Sequence, residues 1–306
     1  MFFAAAVMAA SAASAQDITT VAETYNSGIT SLEIGNKMEA VELFQQALAG
    51  AETLGDEGQE IAMACQKNIP HLLVSIAKDF IREKNYDGAY EMLVKGQEAA
   101  NLYGETEKAA EAKGLINQTL MQKANILLNA KDFANAATIY GQIMAIDSTN
   151  ANAALRLGQC YNSLGNIDDA EQAFLIAAAN GQEKQANKQL SNLTIKKSQT
   201  AFKEKKYQEA IDFALKSNEY LENANAYKLA GQANIALGKN EEAIPFLEKY
   251  VELAPTAKDV NQMKYNIAAT AQKLGDKEKA KAYYQQILSD PKFGAAAKQQ
   301  FDALNK

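Results

Sequence analysis

One spacing pattern recurs along the chain and limits what it can fold into. In three segments a small residue is followed by Gly seven positions later, by Ala five positions after that Gly, and by a large residue four positions after that Ala. The segments are LGQCYNSLGNIDDAEQAF from residue 157, LAGQANIALGKNEEAIPFL from residue 229 and IAATAQKLGDKEKAKAYY from residue 267. Apolar residues recur every three or four positions on each side of the central Gly, which predicts two helices joined by a short turn. One such hairpin cannot bury its own apolar face, so the pattern favours a stacked array.

The same frame fits seven times along the sequence, with the first residue of each copy counted as position 1. The copies start at Val21, Pro70, Asn117, Ala151, Ser191, Ala224 and Asn261. Position 8 is small in every copy: Gly28, Ala77, Ala124, Gly158, Ser198, Gly231 and Ala268. Gly in a helix interior costs about 1 kcal/mol relative to Ala. We therefore expect position 8 to lie where the two helices cross, facing the Ala at position 20, since a larger side chain would overpack that contact.

This spacing resembles the tetratricopeptide repeat, a helix-turn-helix unit of about 34 residues. The resemblance implies an all-α fold, a right-handed α-solenoid of about seven such repeats over residues 16–306. The first two copies are followed by extra residues that still have helical character, which predicts lengthened helices in the N-terminal half. Residues 294–306 are expected to form a C-terminal capping helix, the usual end of a solenoid.

The N-terminus is apolar and ends in small residues. Residues 1–15 read MFFAAAVMAASAASA, with Ala13 and Ala15 suited to cleavage before Gln16. This favours a secretory signal peptide, although a basic start is missing. The alternative is a membrane anchor, but about 15 apolar residues are fewer than the roughly 20 needed to span a bilayer. We expect a periplasmic or secreted protein with no membrane span.

The sequence offers little for catalysis. It contains one histidine, His71, and two cysteines, Cys65 and Cys160, none of them in the spacing of a metal site or a nucleophile. The cysteines fall in different repeats, so buried free thiols are expected. Carboxylates and lysines alternate to a net charge of −6, which does not favour nucleic acid as a partner. We expect no enzyme, no cofactor and no metal.

The resemblance implies that the first helices of the repeats line a concave groove that binds peptides, with positions 2, 5, 9 and 12 facing inward. From the third copy onward, positions 2 and 9 are mostly Asn and Gln, and positions 5 and 12 are mostly apolar or aromatic. The predicted partner-binding residues are Asn125, Asn152, Leu155, Gln159, Asn192, Ile195, Gln199, Phe202, Asn225, Gln232 and Tyr265.

The function expected from this groove is that of a non-catalytic scaffold for a peptide or protein partner. An alternative is an envelope carrier or sensor for a small polar ligand such as a glycan, bound by the same amides. The amides could also form a merely solvated polar face. The lysine run from Lys184 to Lys206 has two readings as well: a solvated helix face, or a surface that meets an acidic partner.

Overall fold

The computed structural model describes residues 17–305, and the predicted signal peptide lies outside them. The chain divides into two compact units, the first ending at Ile146 and the second beginning at Asp147. Over the described range no helix is both long and apolar enough to cross a membrane.

The first unit consists of three helical hairpins in which each helix contacts the next. Their helices are α1 Ile18–Glu33 with α2 Lys37–Thr53, α3 Gln59–Arg82 with α4 Tyr86–Leu102, and α5 Thr106–Asn129 with α6 Phe133–Ile146. The first helices of the second and third hairpins are 24 residues long. This confirms the lengthened helices predicted for the N-terminal half.

The second unit consists of four hairpins and a final single helix. Its helices are α7 Ala151–Leu164 with α8 Ile167–Ala177, α9 Glu183–Lys203 with α10 Tyr207–Tyr220, α11 Ala224–Leu237 with α12 Asn240–Leu253, α13 Val260–Lys273 with α14 Lys277–Gln285, and α15 Gly294–Leu304. A wide helical turn over Ala178–Gln182, with Gly181 at a φ of 105°, separates α8 from α9. Seven hairpins thus lie between residues 17 and 305, as the repeat frame predicts.

The turn inside each hairpin depends on one residue with positive φ, and that residue is always position 15 of the frame. Four of the seven are glycine and three are lysine: Gly35, Lys84, Lys131, Gly165, Lys205, Gly238 and Gly275. Glycine adopts this left-handed conformation without a steric penalty, whereas other residues pay for it. The sequence pattern therefore located all seven turns, including those that lack glycine.

The helix crossing differs in one respect from the sequence-based expectation. A Cβ added to Gly158 would lie 2.6 Å from ring carbons of Phe174, which is position 24, and not against the predicted Ala170 at position 20. Gly28 meets Phe44 and Gly231 meets Leu247 in the same way. In two hairpins position 8 also meets position 20 as predicted: a Cβ on Gly231 would lie 3.3 Å from the Ala243 carbonyl oxygen, and Ser198 Oγ donates to the Ala210 carbonyl oxygen. The large residue at position 24 lies over position 8, and this is why position 8 must be small.

The second helix of each hairpin contributes two positions that are buried throughout the chain's seven hairpins. The alanines at position 20 are fully buried in all seven hairpins, and so are the position 24 side chains, at no more than 1% exposure. Both cysteines are buried and free, and burial raises the pKa of each thiol to about 11. A thiol that stays protonated is a poor nucleophile, so Cys65 and Cys160 serve packing.

Candidate functional site

The first helices of the second unit, α7, α9, α11 and α13, present a shared surface that we call the A face. Polar contacts link neighbouring helices across it. Lys196 Nζ on α9 donates to Asn162 Oδ1 on α7 at 3.3 Å. Lys228 Nζ on α11 donates to Asp259 Oδ2, at the start of α13, at 2.9 Å. These contacts fix the spacing of the helices, so side chains from several repeats lie side by side.

A groove of about 400 Å³ lies on the A face where α9, α11 and α13 meet. Phe202 and Ile235 give it apolar surface, and amides and a lysine provide its polar groups. Its full lining is Phe202, Gln232, Ile235, Asn240, Asn266, Ala269, Thr270 and Lys273. A groove with an apolar floor and amides at its edge can hold an apolar side chain while hydrogen-bonding the backbone beside it.

The predicted amide side chains of the second unit differ in whether they already form hydrogen bonds within the protein. Asn192, Gln199 and Asn225 are exposed, and within residues 17–305 their side-chain amides form no hydrogen bond. Asn152 Oδ1 accepts from Gln182 Nε2 at 2.8 Å, and Gln159 Oε1 accepts from Arg156 at 3.1 Å. Each of these two keeps its own NH₂ donors for another partner.

The predicted apolar positions divide into two pairs. Leu155 and Ile195, expected in the groove, are instead 4% and 8% exposed and pack inside the unit. Phe202 and Tyr265 are half-buried, with Phe202 packed edge-on against Tyr207 and Tyr265 against Tyr284. Ile195 is buried because it packs against Ala214 on α10 and against α11 of the next hairpin, through Ala226, Leu229 and Ala230.

Asn125 stands apart from the other predicted residues. It lies on α5 in the first unit, and its Oδ1 accepts a hydrogen bond from the Tyr140 hydroxyl at 2.7 Å. Its amide oxygen thus joins the two helices of its own hairpin.

The groove also contains residues that the sequence pattern did not select. Asn266 and Lys273 occupy positions 6 and 13 of their repeat. These positions directly follow positions 5 and 12, which were predicted to face the groove. A helix face wider than one residue covers such neighbouring positions. Including the residue after each predicted groove position would have identified both Asn266 and Lys273.

The first unit has a concavity of its own, of about 440 Å³, between α4, α5 and α6. Tyr86 and Tyr90 line one side, and Lys123 forms an ion pair with Asp87 beside them. It contains none of the predicted binding residues. Over the described part of the chain, no group of three or more His, Cys, Asp and Glu side chains could hold a metal ion.

These features define a class: an all-α protein built from stacked helical hairpins with an open polar face. Three tetratricopeptide repeat family models match residues 127–193, 195–258 and 262–289. The chain is therefore a tetratricopeptide repeat protein, and the matches run from the end of α5 in the first unit to α14 in the second. No curated protein matches the sequence.

Several solved structures share the repeat fold at low similarity. MamA is 20% identical with a TM-score of 0.37, covering 56% of this chain and 96% of that one. YrrB, described as a tetratricopeptide repeat protein with an unusual peptide-binding site, is 20% identical with a TM-score of 0.37, covering 59% and 91%. The P58(IPK) repeat domain is 12% identical with a TM-score of 0.31, covering 93% and 97%. Values this low carry no conclusion about function.

Proposed function

We propose that the protein is a non-catalytic scaffold that binds a segment of a partner protein on the A face of its second unit. The observation that supports this most directly is the set of unengaged amides at Asn192, Gln199 and Asn225, on the same helices α9 and α11 that contribute Phe202 and Gln232 to the groove. Tetratricopeptide repeats are in general protein-interaction scaffolds.

An amide side chain suits a peptide backbone because it both donates and accepts. Asn and Gln can pair with backbone C=O and N–H groups without selecting a particular side chain. Each such bond contributes about 0.5–1.5 kcal/mol net, so several are needed together. Phe202 and Ile235 would add the burial of an apolar partner side chain, at about 25 cal/mol per Å².

We also propose that the protein is exported, on the strength of residues 1–15. N-terminal sequencing of the natively produced protein is expected to begin at Gln16. An intact N-terminus on a cytosolic protein would contradict export, and it would leave the binding proposal unaffected.

The test of binding removes the amides while keeping the helices. In the variant Asn192→Ala, Gln199→Ala, Asn225→Ala, circular dichroism and melting temperature should match the wild type. Protein captured from the cell envelope by the wild type, and identified by mass spectrometry, should be lost. The matched control removes three exposed polar side chains from second helices of the same unit: Gln172→Ala, Gln208→Ala and Gln285→Ala. Equal capture by the amide variant would show that the A face is only solvated.

A further inference from the structure

The charges of the second unit are divided between its two sets of helices. The A-face helices α7, α9, α11 and α13 carry nine basic residues and one acidic residue. These residues are Arg156, Lys184, Lys188, Lys196, Lys197, Lys203, Lys228, Lys264 and Lys273, with Glu183. The second helices α8, α10, α12 and α14 carry eleven acidic and five basic residues. The first helices of the second unit therefore carry most of the positive charge of its helices.

Some of these cations are already paired, and others are not. Lys197 contacts Asp168 and Glu171, and Lys228 contacts Asp259. Arg156, Lys196 and Lys273 are exposed and form no ion pair with the residues the structure describes. The hydrogen-bonding groups of Arg156 and Lys196 contact only the neutral amides of Gln159 and Asn162.

The unpaired cations lie among the groups that the proposed function uses. Arg156 contacts the predicted amide Gln159, Lys196 extends from α9 to α7, and Lys273 lines the groove with Phe202 and Gln232. Amides, apolar surface and these cations thus lie on the first helices of the second unit, with the cations on α7, α9 and α13.

We propose that the A face binds an acidic, extended segment of a partner protein, whose carboxylates meet Arg156, Lys196 and Lys273. This rests on the proposed function and names the chemistry of its partner. The cations stand on separate helices, α7, α9 and α13, so they suit carboxylates distributed along a segment and not a single terminal carboxylate. Complementary charge of this kind speeds association and excludes cationic competitors.

The probes are three synthetic peptides of about 12 residues, which reach about 40 Å when extended. They share the same Leu and Ser residues and differ only at alternate positions, which are Glu, Gln or Lys. Binding is measured by fluorescence anisotropy at low and moderate salt. The Glu peptide is expected to bind about tenfold more tightly than the Gln peptide at low salt, through several exposed charge pairs. This difference should shrink as salt screens the charges. Amidation of the peptide's C-terminus should change nothing.

A charge variant assigns the effect to the A face. Arg156→Gln, Lys196→Gln, Lys273→Gln should remove the preference for Glu over Gln, so that both peptides bind with similar affinity. The control Lys277→Gln, Lys292→Gln, Lys298→Gln removes the same charge from exposed positions near α14 and α15, and it should keep the preference. Equal effects of the two variants would mean that the preference comes from overall charge.

The outcomes separate the two proposals. Equal binding of the Glu and Gln peptides, with loss in the amide variant, would overturn the acidic partner and keep the scaffold. No binding of any peptide would contradict the scaffold itself. Tighter binding of a single-stranded oligonucleotide of similar length would indicate a nucleic-acid partner. If the mass of the free protein rises with concentration, and the charge variant abolishes this, the occupant is the acidic surface of a second copy. Either of the last two results would overturn the acidic-segment proposal.

Discussion

The first helices of the two units share their packing and differ in their charge. In the first unit, α1, α3 and α5 carry six basic and six acidic residues, whereas those of the second unit carry nine and one. Both units keep a buried alanine at position 20 and a residue with positive φ at position 15. The fold tolerates either charge balance, because exposed charges contribute little to stability. The difference therefore points to partner recognition, which we place in the second unit.

Each unit also contains a carboxylate held between two lysines. In the first unit Glu111 pairs with Lys78 and Lys108, both at 2.6 Å. In the second unit Glu171, on α8, pairs with Lys197 on α9 and Lys216 on α10, again at 2.6 Å. The side chain of Glu171 is only 12% exposed, against 33% for Glu111. The second unit therefore depends more on its carboxylate than the first unit does.

The largest expected effect follows from removing that carboxylate. Glu171→Ala should destabilise the second unit by about 2 kcal/mol, because Lys216 loses its anion and Lys197 keeps only the exposed Asp168. Urea unfolding followed by hydrogen exchange should show the loss in α8, α9 and α10. The control Glu91→Ala breaks an exposed pair with Lys95 in the first unit and should cost less than about 0.5 kcal/mol. Similar losses of stability for Glu171→Ala and Glu91→Ala would contradict the difference proposed between the two units.

A second substitution tests the helix crossing. Gly158→Ala places a methyl group 2.6 Å from the buried Phe174 ring. Overpacking costs about 1–3 kcal/mol, and alanine regains roughly 1 kcal/mol in a helix, so a net loss of up to about 2 kcal/mol is expected. Gly141 in α6 has no atom within 4 Å of an added Cβ, and Gly141→Ala should stabilise the first unit. A higher melting temperature for Gly158→Ala would refute the assigned crossing.

A smaller effect is expected at the turns that use lysine. Lys84, Lys131 and Lys205 have φ values of 61° to 62°. Replacing each by Gly relieves a left-handed conformation that costs about 1–2 kcal/mol, offset in part by the entropy of Gly, for a net gain of about 0.5–1 kcal/mol. The reverse change, Gly238→Lys, should cost a similar amount. In calorimetry, the melting temperature should rise for the Lys→Gly variants and fall for Gly238→Lys. Any other result would contradict this interpretation of position 15.

The smallest effect expected concerns acid stability. Hydrogen bonds from Lys108 and Lys78 lower the pKa of Glu111 from 4.5 to about 2. Burial raises the pKa of Glu171, but the hydrogen bonds from Lys197 and Lys216 outweigh it and leave that pKa below its ordinary value. The folded pKa lies below the unfolded one in both cases, so each group stabilises its unit above pH 4.5.

This stabilisation is lost as the pH falls through the folded pKa, toward about 2 for Glu111. Urea midpoints measured between pH 5 and pH 2 should therefore fall less steeply for Glu111→Gln than for the wild type. Parallel curves would show that Glu111 does not contribute to acid sensitivity.

Much of the fold could be predicted because its signals are local. The hairpins, their turns and the small residue at position 8 depend on spacings within about 34 residues, the length of one repeat. The lengthened helices of the first unit were predicted from the extra residues that follow the first two copies of the repeat. The site could be predicted only in part, since Phe202 and Gln232 line the groove while Leu155 and Ile195 are buried.

By itself, the sequence determined the repeated helical hairpin and the position of every turn, because helix periodicity and left-handed backbone are properties of short stretches. Only the tertiary structure decided that Phe174 covers Gly158 and that the chain divides after Ile146. It also decided that Lys197 pairs with Glu171, whereas Arg156, Lys196 and Lys273 form no ion pair within residues 17–305. These outcomes depend on which side chains meet between different helices. Sequence spacing along one helix does not fix such contacts, because their geometry is set by how the helices pack.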